Sequence, residues 1–243
     1  VQERMKEHMT DYDRLTDKIQ TVPDVIAATP FVFRQVLLTA QSGVQGIILR
    51  GIDPKREANV TELAKNITTG QLLDLLTPVK VMQAPADDPQ GDLRAVEKPG
   101  IILGKELALR LGVFVGDTVN VVSPVGPISA MGMVPKIRTF AVVALFHSGM
   151  FEYDSSFAYI ELGEAQKFFN LGTSVTGIEV KVTDVFRAGE IAHTIEQELG
   201  FSHGARDWMQ MNRNLFSALK LEKTMMFLLL VLITIEASFN IVS

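Results

Sequence analysis

The chain contains no cysteine among its 243 residues. This absence excludes disulfide bonds, metal sites built from thiolates and catalysis by a cysteine nucleophile. It is compatible with an exported bacterial domain. The sequence also lacks a recognisable signal peptide, so an exported body would have to be delivered by a membrane helix upstream of Val1.

The chain also has little basic character. Lys and Arg number 23 against 28 Asp and Glu, which gives a net charge of −5 and no basic tract. Proteins that bind nucleic acids need clustered positive charge, so we expect no nucleic-acid partner. The hydrophobic fraction of 47% and the charged fraction of 21% are typical of a globular body with one large domain or two small lobes.

Motifs of catalysis are missing as well. The sequence holds no G-x-S-x-G, no H-E-x-x-H and no P-loop. Asp87 and Asp88 lie between prolines in a polar loop, where we interpret them as solvated charge rather than as a metal pair. His147, Ser148 and Asp154 are too close in sequence for the usual triad geometry, and we interpret their segment as a turn between strands. We interpret all four histidines as surface or hydrogen-bonded side chains: His8, His147, His193 and His203. The sequence therefore argues against an enzyme.

What the chain does contain is an apolar C-terminal run. Residues 225–235 include one polar residue, Thr234, and the run continues to Ser243 with Glu236 as its one charge. Lys220 and Lys223 precede it, where their long stems can reach lipid headgroups. We interpret the run as the beginning of a membrane span, and a buried helix of a globular domain is the alternative. Because the chain also begins without a methionine, we expect natural sequence to continue at both ends.

Periodicity and turn signals predict an α+β fold. Helices are predicted at residues 2–20, 57–69, 104–111, 162–170, 185–199 and from 209 to the end. Strands are predicted at residues 25–40, 44–52, 101–103, 118–122, 136–146, 157–160 and 175–182. The first two strands are predicted to form a hairpin that turns at Ser42-Gly43.

Residues 123–135 (SPVGPISAMGMVP) form the least ordinary segment. Three prolines stiffen it because each ring fixes φ, and valine, isoleucine and methionine make it apolar. Lying between two predicted strands, it is predicted to be the tip of a hairpin, which we call the 123–135 hairpin. An exposed apolar tip indicates a partner-binding site, and a tip buried against the body is the alternative.

Several segments resemble one family of membrane proteins. They are residues 221–226 (LEKTMM) and 238–243 (SFNIVS), residues 100–119 (GIILGKELALRLGVFVGDTV), residues 148–160 (SGMFEYDSSFAYI) and residues 184–186 (DVF). Together these motifs resemble the LolC/LolE-type permease subunits of the bacterial lipoprotein-releasing ABC transporter, over essentially the whole chain. The block 100–119 is shared with the wider group of MacB-like periplasmic domains.

The resemblance implies a MacB-like periplasmic core domain with a mixed sheet, helices and two lobes, flanked by long terminal helices. Residues 1–22 would be a membrane-proximal helix, residues 23–207 the core domain and residues 208–243 a helix that enters the second transmembrane span. The protein would lie in the bacterial inner membrane with its main domain in the periplasm. It would pair with a second permease subunit, which could be a copy of itself or a paralogue. No cofactor would bind this chain, since a separate LolD-like subunit would hydrolyse ATP.

The resemblance also implies that lipoproteins are extracted from the membrane and passed to a LolA-like carrier. The carrier would dock on the 123–135 hairpin, which matches the family's hook, through Pro124, Val125, Pro127, Ile128, Met131, Met133, Val134 and Pro135. The lipoprotein path would include Met225, Met226, Phe227 and Leu229. Residues 148–150 and 175–186 are closer to LolE, which lacks such a hook. A MacB-like efflux permease and an FtsX-like signalling permease are the alternatives.

Overall fold

A computed structural model describes residues 1–3, 8–83, 94–124, 128–129, 132–200 and 202–242 of the chain. The strands are β1 (Gln2–Glu3), β2 (Val25–Ala40), β3 (Gly43–Ile52), β4 (Ile67–Thr69), β5 (Val79–Gln83), β6 (Arg94–Lys98), β7 (Gly100–Gly104), β8 (Thr118–Ser123), β9 (Ile128–Ser129), β10 (Gly132–Met133), β11 (Lys136–Phe146), β12 (Phe157–Glu161), β13 (Gly177–Val182) and β14 (His203–Gly204). The helices are α1 (Tyr12–Gln20), α2 (Pro54–Val60), α3 (Leu63–Asn66), α4 (Lys105–Leu111), α5 (Phe151–Ser156), α6 (Leu162–Phe169), α7 (Ala188–Leu199), α8 (Trp208–Met211) and α9 (Arg213–Val242), with 3-10 turns at Leu72–Leu76 and Val185–Arg187.

One mixed sheet of eight strands organises the body. Strand β2 pairs with β3, β3 with β12, β12 with β7, β7 with β11 and β11 with β8. Strand β8 then pairs with the end of β2, at residues 37–39, so the ladder closes on itself. The edge strands β13 and β4 attach outside β2 and β11. Closure protects backbone groups that an open edge would expose.

Two hydrophobic clusters pack on the sheet, and β7 shows how they divide. Successive side chains of a strand point to opposite faces. Ile101 and Leu103 belong to the larger cluster, with α1, α4, α6 and α7, whereas Ile102 belongs to the smaller one, beside α3 and the first 3-10 turn. All three are fully buried. That the domain has two lobes, as the resemblance implied, stays a prediction.

Most predicted elements agree with the structure, because their signals are local. The hairpin of β2 and β3 turns at residues 41–42, as the Ser-Gly pair predicted. Helix α4 ends at Gly112, which adopts a left-handed conformation with φ of 62°, as a helix C-terminus favours. These elements confirm the mixed α and β content of the prediction.

The predicted helix at residues 2–20 is wrong at its beginning. Residues 2–3 instead form β1, which pairs with β14, and the helix begins at Tyr12 after Asp11, whose φ is 57°. The predicted helix at residues 57–69 is wrong as a single element. Asp53 accepts a hydrogen bond from the Lys55 amide and starts α2 earlier, whereas residues 67–69 are drawn into β4 by pairing with β11.

Candidate functional site

The 123–135 hairpin projects from the end of two paired strands. The antiparallel ladder of β8 and β11 runs from Thr118 opposite Ala141 to Ser123 opposite Lys136. Beyond it, β9 and β10 pair in a second short ladder, with Met133 opposite Ile128. The pairing of these described residues is that of a hairpin, and whether its tip protrudes or packs on the body stays a prediction.

The residues predicted to bind a partner are only partly described. Pro124, Val134 and Pro135 are exposed, Val134 by 49%, and they flank the tip on both sides. Ile128 and Met133 are described for their backbone only. The remaining predicted residues, Val125, Pro127 and Met131, lie outside the described residues. The flanks are thus open to solvent, and the binding role stays a prediction.

The predicted lipid-path residues lie on α9. Met225, Met226, Phe227 and Leu229 are each more than half exposed. Taken over the described residues, no helix combines the length and the apolar content that crossing a membrane requires. That α9 leads into a membrane span therefore stays a prediction.

Among the described residues, Trp208 of α8 links the start of α9 to the body. The indole Nε1 of Trp208 donates to the Val185 carbonyl at 2.9 Å, and the Trp208 ring lies edge-on to Phe216 at 5.1 Å. Farther along α9, the hydroxyls of Thr234 and Ser238 donate to the carbonyls four residues earlier at 2.7 and 2.8 Å. The hydroxyls are thus satisfied within the helix, which lowers their cost in an apolar environment.

The structure brings His147, Ser148 and Asp154 together around the carboxylate. Asp154 is 1% exposed and accepts from His147 Nδ1 at 2.6 Å, from the Ser148 amide at 2.7 Å and from the Ser148 hydroxyl at 2.8 Å. Burial alone would raise the pKa of Asp154, but the hydrogen bonds from Ser148 and His147 hold it below its usual value. A catalytic triad places the histidine between serine and aspartate, whereas here the aspartate is central. The arrangement fixes the loop before α5. The segment that we interpreted as a turn between strands instead contains this helix, Phe151–Ser156.

Each histidine has a polar neighbour, as the sequence predicted. The pairs are His8 with Arg34, His147 with Asp154, His193 with Gln197 and His203 with Ser202. Among the described residues, no group of three or more His, Asp or Glu side chains is placed to hold a metal ion. Asp87 and Asp88 lie outside those residues.

A partly buried charged cluster lies between α2 and the sheet. Glu57 of α2 is 0% exposed and accepts from the Thr61 hydroxyl at 3.1 Å. Arg50 of β3 pairs with Glu179 of β13 and lies over the ring of Phe31 at 5.1 Å. Burial raises the pKa of Glu57 to about 7, Glu179 adds to this effect, and Arg50 opposes it. The cluster holds two carboxylates against one guanidinium, so Glu57 can take up a proton near neutral pH.

Sequence reasoning missed Glu57 and Lys136. Glu57 looked like one more polar residue of a surface helix, and nothing in its segment shows which sheet face it meets. Lys136 follows Pro135 at the start of a strand, and its partners on α6 are about thirty residues away. No local signal identifies either residue, because both contacts depend on tertiary packing.

Comparisons of the sequence with known proteins agree with the resemblance. The lipoprotein-releasing system transmembrane protein LolC of Neisseria meningitidis serogroup B is 33% identical over 238 residues, covering 96% of this chain and 52% of that protein. The corresponding LolE of Haemophilus influenzae is 22% identical over 234 residues, covering 96% and 51%. The extracellular domain of the noncanonical ABC-type transporter YknZ from Gram-positive bacteria matches with a TM-score of 0.49 and 14% identity, covering 83% of this chain and 90% of that one.

The chain thus spans about half the length of the curated relatives it matches. A family model described as the MacB-like periplasmic core domain matches residues 2–198, which include the whole eight-stranded sheet and the 123–135 hairpin. On that match, the chain belongs to the family of MacB-like periplasmic core domains.

Proposed function

We propose that the chain is the periplasmic domain of an inner-membrane ABC transporter permease that passes lipoproteins to a LolA-like carrier. The observation that carries the proposal is the 33% identity to LolC over 96% of the chain. The hairpin, which projects beyond the sheet with exposed flanks, supplies the docking element that such a transfer needs.

In this proposal, α9 continues into the second transmembrane helix, and its exposed apolar side chains meet lipid and the acyl chains of the lipoprotein. The internal hydrogen bonds of Thr234 and Ser238 support that environment. A second permease subunit completes the membrane part. A separate LolD-like subunit hydrolyses ATP, so this chain itself binds no nucleotide and carries out no chemistry.

Capture of a LolA-like carrier by the chain in detergent micelles tests the proposal. A charge in an apolar docking surface must be desolvated without a partner. We therefore expect Val134→Asp and Met131→Asp each to weaken capture about tenfold or more, since one uncompensated buried charge costs more than 1.4 kcal/mol.

Val44→Asp is the matched control, because Val44 is a similar side chain, 57% exposed, near the start of β3 and beside the turn that joins it to β2. It should leave capture unchanged. Failure of the unsubstituted chain to capture the carrier would remove the transfer function and favour the efflux or signalling permeases. Undiminished capture by both hairpin variants would remove the hairpin from the docking surface.

A further inference from the structure

The direction of the 123–135 hairpin is set at its base. Ser123 and Lys136 face each other as the last pair of the β8–β11 ladder. Pro124 follows Ser123, and Pro135 precedes Lys136. Because proline fixes φ, each strand has one fewer rotatable backbone dihedral next to this pair. Whatever fixes Lys136 therefore also orients the stem of the hairpin.

Lys136 is held by the C-terminal end of α6. Its Nζ donates to Asn170 Oδ1 at 2.9 Å and to the Lys167 carbonyl at 3.2 Å, and it lies 5.6 Å from the ring centroid of Phe168. A cation at a helix C-terminus interacts favourably with the unpaired carbonyls there, and an ammonium over a ring gains a cation–π attraction. Three independent contacts thus converge on one ammonium group.

Helix α6, which holds Lys136, packs closely on the sheet. Ala165 of α6 approaches Gly51 of β3 so closely that a Cβ built on Gly51 would lie 2.3 Å from the Ala165 Cβ. Phe168 is 1% exposed and meets Phe140 of β11 edge-on at 6.4 Å. The contact partners of Lys136 are therefore fixed relative to the sheet.

We propose that Lys136 is a positioning residue, which anchors the base of the 123–135 hairpin to α6 and so presents its tip in the orientation that the carrier binds. The carrier part of this inference rests on the proposed function. A hairpin that is held in one orientation loses less conformational freedom on binding than a hairpin that samples several orientations. The affinity of a swinging hairpin falls in proportion to the fraction of time spent in the competent orientation.

Four substitutions distinguish an anchoring role of Lys136 from a direct contact with the carrier and from a general effect of charge. One of them, Lys136→Arg, keeps a positive charge at the anchor. Lys136→Met keeps the aliphatic stem and removes the ammonium. Asn170→Gly removes the Oδ1 acceptor but suits the left-handed backbone at this helix end, where φ is 56°. Lys167→Met is the control, because it removes a charge from the same helix while leaving the carbonyl that Lys136 contacts.

The first measurement needs no carrier. Because the chain has no cysteine, spin labels can be placed specifically at Ser129→Cys on β9 and Thr194→Cys on α7. We expect the distance distribution between them to broaden in Lys136→Met and Asn170→Gly, and to stay narrow in Lys167→Met and Lys136→Arg. An unchanged distribution in Lys136→Met overturns the inference.

The second measurement is the affinity for a LolA-like carrier. We expect the affinity to fall about tenfold in Lys136→Met and by less in Asn170→Gly. In Lys136→Arg we expect an affinity near that of the unsubstituted chain. Equal losses in Lys136→Met and Lys167→Met would show a general charge effect and overturn the positioning role. If the unsubstituted chain captures no carrier, the proposed function and the carrier part of the inference fall, while the spin-label distances still decide the anchor.

Discussion

Glu57 shows how one buried side chain makes a fold sensitive to pH. One of its oxygens, Oε2, has no well-formed hydrogen bond among the described residues, and its neighbours are Arg50, Glu179, Thr29 and Tyr159. The pKa of Glu57 is raised from 4.5 to about 7 in the folded chain, first by burial. The folded state therefore binds a proton over a pH range in which the unfolded chain has released it.

This linkage makes the contribution of Glu57 to stability decrease as the pH rises. Stability from Glu57 is fully present below about pH 4.5 and is lost as the pH rises to about 7, by about 3 kcal/mol in all. Glu57→Gln cannot ionise, so its free energy of unfolding should fall less between pH 5 and pH 8 than that of the parent. Urea denaturation at each pH measures both.

Glu62→Gln is the control for this experiment. Glu62 is exposed, and hydrogen bonding to Lys65 lowers its pKa, so its linkage lies below the tested range. Its profile should match the parent's between pH 5 and pH 8. Identical profiles for Glu57→Gln and the parent would contradict the assignment of the titration to Glu57.

Asp154 illustrates the opposite sign. Its pKa is held below the usual 3.8 by Ser148 and His147, so its contribution is present above about pH 4 and is lost as the pH falls further. Asp154→Ala should lower the free energy of unfolding at pH 7 by about 3 kcal/mol, because the Ser148 amide loses its acceptor. Asp154→Asn keeps an oxygen for that amide and should lose clearly less. Equal losses in the two variants, measured by denaturant titration, would argue against this hydrogen-bond account.

At the scale of elements, close approach of backbones decides how strands and helices fit. Gly104 ends β7 and precedes α4, and a Cβ at this position would lie 2.1 Å from the carbonyl oxygen of Asp154 in α5. The carbonyl belongs to the backbone, so it cannot move without shifting α5. The close spacing of α5 and β7 thus requires a glycine at position 104, because glycine has no side chain.

Gly104→Ala should therefore lower the free energy of unfolding by about 2–3 kcal/mol through overpacking. Gly46→Ala is the matched control on β3, where nothing lies within 4 Å of the added Cβ, and we expect a change within about 0.5 kcal/mol. Thermal unfolding followed by circular dichroism compares the two. If Gly104→Ala left the free energy of unfolding unchanged, α5 would be able to move away from β7, and the overpacking account would be contradicted.

At the scale of the whole molecule, the body and α9 have different relations to solvent. The sheet and its helices bury two hydrophobic clusters. The large apolar side chains described on α9 between residues 225 and 239 are 39–74% exposed. Side chains that stay this exposed gain little stability from burial against the body, so we expect the body to fold without this part of α9.

Deleting residues 213–243 tests this division. We expect the remaining chain, residues 1–212, to unfold cooperatively within about 4 °C of the parent, since the contact that the deletion removes from Trp208 is that with Phe216. We expect the 243-residue chain to float with lipid vesicles in a density gradient. We expect residues 1–212 to remain in the dense fraction at the bottom. Flotation of both, or of neither, would contradict the membrane role of α9.

The sequence by itself determined the order and type of most elements and the apolar character of residues 225–235, because turn chemistry and hydrophobic periodicity act over a few neighbouring residues. It located the 123–135 hairpin for the same reason. Only the tertiary structure decided the return of β8 to β2, the burial of Glu57 against Arg50 and the anchoring of Lys136 on α6. Those contacts join residues from 7 to more than 80 positions apart. Their partners are selected by packing of the whole sheet, which no local pattern records.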